Sequence, residues 1–137
     1  MPEAEQFPFV VSDAASGEAS LLPYLPLALA VGQRSVSALG LLDTGSAVNV
    51  LPYDVGVQLG LEWAEQRTVV RLTGSLASAE ARVVTAEVTV GRFKPVRLAF
   101  AWTQARNIPL ILGQVNFFLE FDVWFSRSQR VFEVRAK

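Results

Sequence analysis

Few side chains in this sequence are available for catalysis. There is no His and no Cys. That removes Ser-His and Cys-His couples, zinc sites built on Cys or His, and a disulfide framework. Lys is confined to Lys94, beside Pro95, and Lys137, which argues against a Ser-Lys pair. Acid–base work falls to Asp, Glu, Lys or Tyr, and among these the carboxylates are the main candidates. Asp is scarce: Asp13, Asp43, Asp54 and Asp122. Asp43 has the most informative neighbours. It sits in Leu41-Leu42-Asp43-Thr44-Gly45-Ser46, with Leu39 before and Val48, Val50 and Leu51 after. An acid between two strongly apolar strands is either a turn residue or a carboxylate held at a core edge for a purpose. Asp, Thr, Gly and Ser also favour an ordinary β-turn, so this stretch alone leaves both readings open.

The elements around Asp43 read as strands. Leu25, Leu27, Leu29 and Val31 alternate with Pro26, Ala28 and Ala30, a period of two. Gly32-Gln33 signals a turn, and Val36 to Leu42 returns as a strand ending at Asp43. Val48 to Leu51 predicts a short strand. Pro52 to Leu59 predicts a short helix, with Asp54 in its first turn and Gly60 just past its end, although Gly56 weakens it. Further strands are expected over Thr68 to Leu72, Ala81 to Val90, Val96 to Trp102 and Pro109 to Leu112. Gln114 to Leu119 reads as one or two helical turns. Phe121 to Phe125 and Val131 to Val134 close the chain as a hairpin. Many short strands between frequent turns predict an all-β barrel or sandwich.

With 137 residues, one domain is expected. Hydrophobic residues at 51% and charged residues at 18% suit a real core rather than a disordered tail. Residues 1–20 read as a partly ordered arm or pro-segment, with Phe7 to Val11 as an apolar island that would dock as an edge strand or at a subunit interface; residues 21–137 form the domain. The net charge of −1, without a basic cluster, gives no reason to expect nucleic acid or an anionic membrane as partner. The acidic start is unlike a secretory leader. The longest apolar stretch, Leu21 to Val31, is broken by Pro23 and Pro26 and is too short to span a bilayer. A cytoplasmic location is the expectation.

From about Tyr24 to Val134 the chain resembles the retropepsin-like aspartic proteases. The likeness rests on Tyr24-Leu25-Pro26-Leu27, then Leu41-Leu42-Asp43-Thr44-Gly45-Ser46, then Leu51-Pro52 and a helix ending Gln58-Leu59-Gly60-Leu61. It continues with Ile108-Pro109-Leu110-Ile111-Leu112-Gly113 and Phe117-Phe118-Leu119. The resemblance implies a closed β-barrel with one or two short helices and a flap hairpin. It also implies an aspartic endopeptidase, with Asp43 as catalytic carboxylate. Ile111, Leu112 and Gly113 match the apolar-apolar-Gly element that packs beside the catalytic loop in that family; alone they would read as a buried strand ending in a turn.

Two adjacent carboxylates cannot both ionise and so share a proton, one activating water while the other polarises the scissile carbonyl. The sequence holds one Asp-Thr-Gly, and neither Asp54 nor Asp122 has a similar setting. The second carboxylate is therefore expected from another copy of the chain, in a two-fold homodimer, which is the family's arrangement too. By resemblance, Thr44 would bond across the axis, Gly45 would admit the partner loop and substrate, and Ser46 would donate its hydroxyl to Asp43. Thr73, Gly74 and Ser75 fall at the flap, although this link lacks an aromatic and is poor in Gly. Gln114 stands where viral enzymes commonly carry Arg, so an Arg-Asp lock is missing. The implied substrate is a polypeptide held as a strand in apolar pockets, and no metal or organic cofactor is implied. Two other readings remain open: a non-catalytic module of the same fold that binds peptides or assembles partners, and a barrel carrying an apolar ligand.

Overall fold

The computed structural model describes residues 3–73 and 79–137. Its centre is the hairpin of β4 (Tyr24–Val31) and β5 (Arg34–Leu42). The alternation in β4 sends Leu25, Leu27 and Leu29 into the core and leaves Pro26 exposed. Gly32 turns the hairpin with φ of +59°, a conformation that costs Gly little and other residues more. Strand β5 then runs out of the core directly into Asp43.

A ring of six strands closes into a barrel. Strand β5 pairs in parallel with β10 (Leu110–Leu112), which pairs antiparallel with β6 (Val50–Pro52). Strand β6 pairs in parallel with β9 (Val96–Thr103), and β9 antiparallel with the long β8 (Glu80–Thr89). Pairing of Ala28–Ala30 with Glu87–Thr89 joins β8 back to β4 and removes the open edge. The other half of β8, still paired with β9, carries β7 (Val69–Arg71), and β7 and β8 form an antiparallel arm. Gly74 and Ser75, expected at the flap, lie outside the described residues.

The helix expected over Pro52 to Leu59 is α1 (Tyr53–Gln58), with Pro52 as its N-cap and Gly60 at φ +83° beyond its end. Gly56, which argued against a helix in sequence, has a packing reason. A Cβ there would lie 2.3 Å from Nε1 of the fully buried Trp102. The Trp102 indole N–H donates to the Tyr53 carbonyl (3.1 Å), and the Tyr53 ring stacks on it at 5.4 Å. The helix is thus pressed flat against β9 just behind β6.

The arm and the chain end form a second, three-stranded sheet. Its order is β1 (Glu5–Pro8), β12 (Val131–Ala136) and β11 (Phe121–Ser126), all antiparallel. Phe7 and Phe9 both pack on the buried Phe132, at 5.6 and 5.7 Å between ring centres. The short β2 (Val10–Val11) pairs with β3 (Leu21–Leu22) and leads into β4. The final helix, α2 (Phe117–Glu120), buries Phe117 against Phe121 (4.9 Å). Phe117 and Phe121 belong to the core, while Trp124 and Phe125 are exposed. Among the described residues no helix is long and apolar enough to cross a membrane.

Candidate active site

Asp43 is fixed by its backbone first. It follows Leu42, whose side chain is buried in the barrel, and its N–H donates to the Leu112 carbonyl at 3.0 Å. This extends the parallel β5–β10 pairing by one bond into the loop. A tight turn follows, with the Ser46 N–H donating to the Asp43 carbonyl (3.1 Å). The Gly45 N–H donates to one oxygen of the Asp43 carboxylate at 2.9 Å. Asp43 as a residue is half-buried, and Thr44 and Gly45 are exposed.

Ser46 departs from expectation. Its hydroxyl donates to the Val48 carbonyl at 2.7 Å rather than to Asp43. A hydroxyl has one proton to give, so Ser46 braces the descending limb of the loop and does not bond the carboxylate. Gln114 braces the other limb: its side-chain amide donates to the Thr44 carbonyl at 2.8 Å. The backbone N–H groups of Gln114 and Val115 donate to Ser46 and Ala47.

Gly113 explains why the two motifs meet. A Cβ at that position would lie 2.4 Å from the Val48 carbonyl oxygen and 2.7 Å from that of Ser46. Only a residue without a side chain lets β10 pass so close beneath the loop. Ile111 and Leu112, the other two residues of the element, divide their roles. Leu112 is fully buried in the barrel core, whereas Ile111 is half-buried and faces the cavity below Asp43.

That cavity measures about 470 Å³. Asp43 stands at one side; Val50, Val83, Ala101 and Ile111 supply apolar lining, and Thr73 lines it from the β7–β8 arm. Among the described residues that line it, Asp43 is the sole carboxylate. Asp54 lies in the first turn of α1 and Asp122 on β11, and neither lines it. Among the described residues no group of His, Cys, Asp and Glu side chains is clustered as metal ligands would be.

A family model described as aspartyl protease matches residues 28–115. The chain belongs to the aspartyl protease family. The match spans both the Asp43 loop and the Gly113 element. The structure is similar to that of a retropepsin-like aspartic protease from Rickettsia conorii, with a TM-score of 0.67 and 15% identity. That similarity covers 100% of this chain and 97% of the Rickettsia chain. At that identity the likeness is one of fold: this aspartyl protease has a retropepsin-like barrel. No curated protein sequence matches it.

One residue of this aspartyl protease carries more than its sequence position suggested. Asn49 reads in sequence as part of a strand, yet it is fully buried. Its side-chain oxygen accepts the Gly113 N–H (2.8 Å), and its amide donates to the Ala99 carbonyl (2.9 Å) and to Asn116 Oδ1 (3.1 Å). The available signal was polarity itself: an Asn between Val48 and Val50, in a run otherwise apolar, needs partners if buried.

Proposed function

We propose that this aspartyl protease is an endopeptidase whose catalytic pair is Asp43 and the partner subunit's Asp43, brought together on a two-fold axis. The observation that carries the proposal is the carboxylate of Asp43 at the side of an apolar cavity, with one oxygen bound by Gly45 and, among the described residues, no second acid lining that cavity. One carboxylate cannot serve as both acid and base on the same water and carbonyl at once. A symmetric copy supplies the missing group. The pair holds one proton. The ionised member accepts a proton from water, and the protonated member donates to the scissile carbonyl. Addition of hydroxide gives a tetrahedral diol, and return of a proton to the leaving nitrogen breaks the C–N bond.

The loop residues take supporting parts. Thr44, whose carbonyl accepts from Gln114, takes the bond across the axis in this reading. Gly45 leaves space for the partner loop and for substrate. The substrate is an extended polypeptide, bound as a strand beside the β7–β8 arm, which with Thr73 acts as a flap. The apolar lining favours bulky apolar side chains beside the cleaved bond.

The test is cleavage of a mixed peptide library from acidic to neutral pH, with Asp43→Asn as control. Cleavage by the wild type that is lost in the variant, and that rises steeply with protein concentration, supports the dimeric enzyme. No cleavage by a wild type shown to be dimeric favours a non-catalytic peptide-binding module.

A further inference from the structure

Asp43 is tied to the body of the barrel through one peptide plane. The Leu112 carbonyl accepts the Asp43 N–H (3.0 Å), and the next atom along, the Gly113 N–H, donates to Asn49 Oδ1 (2.8 Å). These two groups belong to the same rigid peptide unit, so a tilt at one end moves the other. The Asn49 side chain therefore bears on the same peptide unit that holds the Asp43 N–H.

Asn49 is itself held on every polar atom of its side chain. Its amide nitrogen donates to the Ala99 carbonyl and to Asn116 Oδ1, while the same Asn116 oxygen accepts the Ala99 N–H at 3.1 Å. Both backbone groups of Ala99 are thus taken up by the two Asn side chains. Beyond Ala99, the Ala101 N–H donates to the Asn49 carbonyl at 2.8 Å, the start of the β6–β9 pairing. The two amides fill the place where strand pairing has not yet begun. Burial makes each of these bonds costly to break without a replacement.

We propose that Asn49 and Asn116 are positioning residues that hold Asp43 in register for catalysis, acting through the Leu112-Gly113 peptide. This rests on the reading of Asp43 as the catalytic carboxylate. Asn49 is fully buried and does not line the cavity beside Asp43. Its effect is on the angle and height of the loop, and displacement of a catalytic group by about 1 Å costs on the order of 100-fold in rate.

The test uses Asn49→Leu, Asn116→Leu and Asn116→Asp in the full chain. Asn116→Asp keeps an oxygen for both bonds that Asn116 accepts, whereas Asn116→Leu keeps neither. Two readouts are taken: amide hydrogen exchange at Asp43 by NMR, and kcat and KM on one cleavable peptide. The expected result is faster exchange at Asp43 in both Leu variants, with Leu27 and Val84 in β4 and β8 unchanged. In those variants kcat falls by about 10- to 100-fold with KM held within about twofold, and Asn116→Asp recovers most of the loss. A merely structural role would accelerate exchange throughout the barrel, or leave kcat of the folded fraction intact. Either outcome overturns the proposal, as does unchanged exchange at Asp43. If the wild type cleaves nothing, the catalytic reading fails, and exchange at Asp43 alone decides whether Asn49 and Asn116 hold that loop.

Discussion

At the scale of single residues, the chemistry and the support can be separated by substitution. Asp43→Asn preserves size and an oxygen able to accept the Gly45 N–H, but it removes the ionisable group. Activity on peptides is expected to fall by about 10³-fold or more, with the circular dichroism spectrum and thermal midpoint close to wild type. Ser46→Ala is a sharper discriminator. Its hydroxyl bonds the Val48 carbonyl and not the carboxylate, so the variant is expected to lose about 1 kcal/mol of stability while the pH dependence of cleavage stays in place. A displaced pH profile would mean that the hydroxyl reaches Asp43 after all. Sequence made Asp43 legible because an acid flanked by Leu42 and Val48 is chemically conspicuous. It did not reveal the partner of Ser46, because a hydroxyl in a turn has several acceptors within reach and only the path of the loop chooses among them. Asn49 was missed for a related reason: its partners, Gly113, Ala99 and Asn116, lie at least 50 positions away.

At the scale of elements, two glycines decide how strands and helix approach the site. In Gly113→Ala the new methyl meets backbone oxygens of Ser46 and Val48, which cannot swing aside. A destabilisation of roughly 3 kcal/mol is expected, read as a lower thermal midpoint together with lost activity. Gly56→Ala sets two effects in opposition. Helix propensity favours Ala by about 1 kcal/mol. The clash with Trp102, locked by Tyr53 and Trp63, costs about 1–3 kcal/mol. The clash wins, so the variant is expected to be less stable in a denaturant titration; a gain would show that α1 can lift off β9. These positions also mark how far sequence reading reaches. Strands such as β4 declared themselves through alternating Leu residues, because their local period is set by burial on one face. Gly56 misled, since its cause is an indole 46 residues further on, and Val48 and Asn49 were drawn into a strand that begins at Val50. The parallel approach of β10 to β5 likewise has no local signal; the resemblance, not the periodicity, linked Gly113 to Asp43.

At the scale of the whole molecule, a six-stranded barrel presents one carboxylate at the side of an apolar cavity, and chemistry on a peptide bond asks for two. In the proposed dimer the second comes from an identical chain. Specific activity is then expected to rise with protein concentration until the dimer is saturated. Mixing tests the claim most directly. Wild-type protein is held at a fixed, active concentration while Asp43→Asn protein is added and the chains are allowed to exchange. If the site is shared, mixed dimers carry a single ionisable carboxylate, and activity falls progressively towards zero as the variant sequesters wild-type chains. Activity that stays level under a large excess of variant, with mixed dimers verified by mass, would show that each chain works alone and would contradict the shared pair.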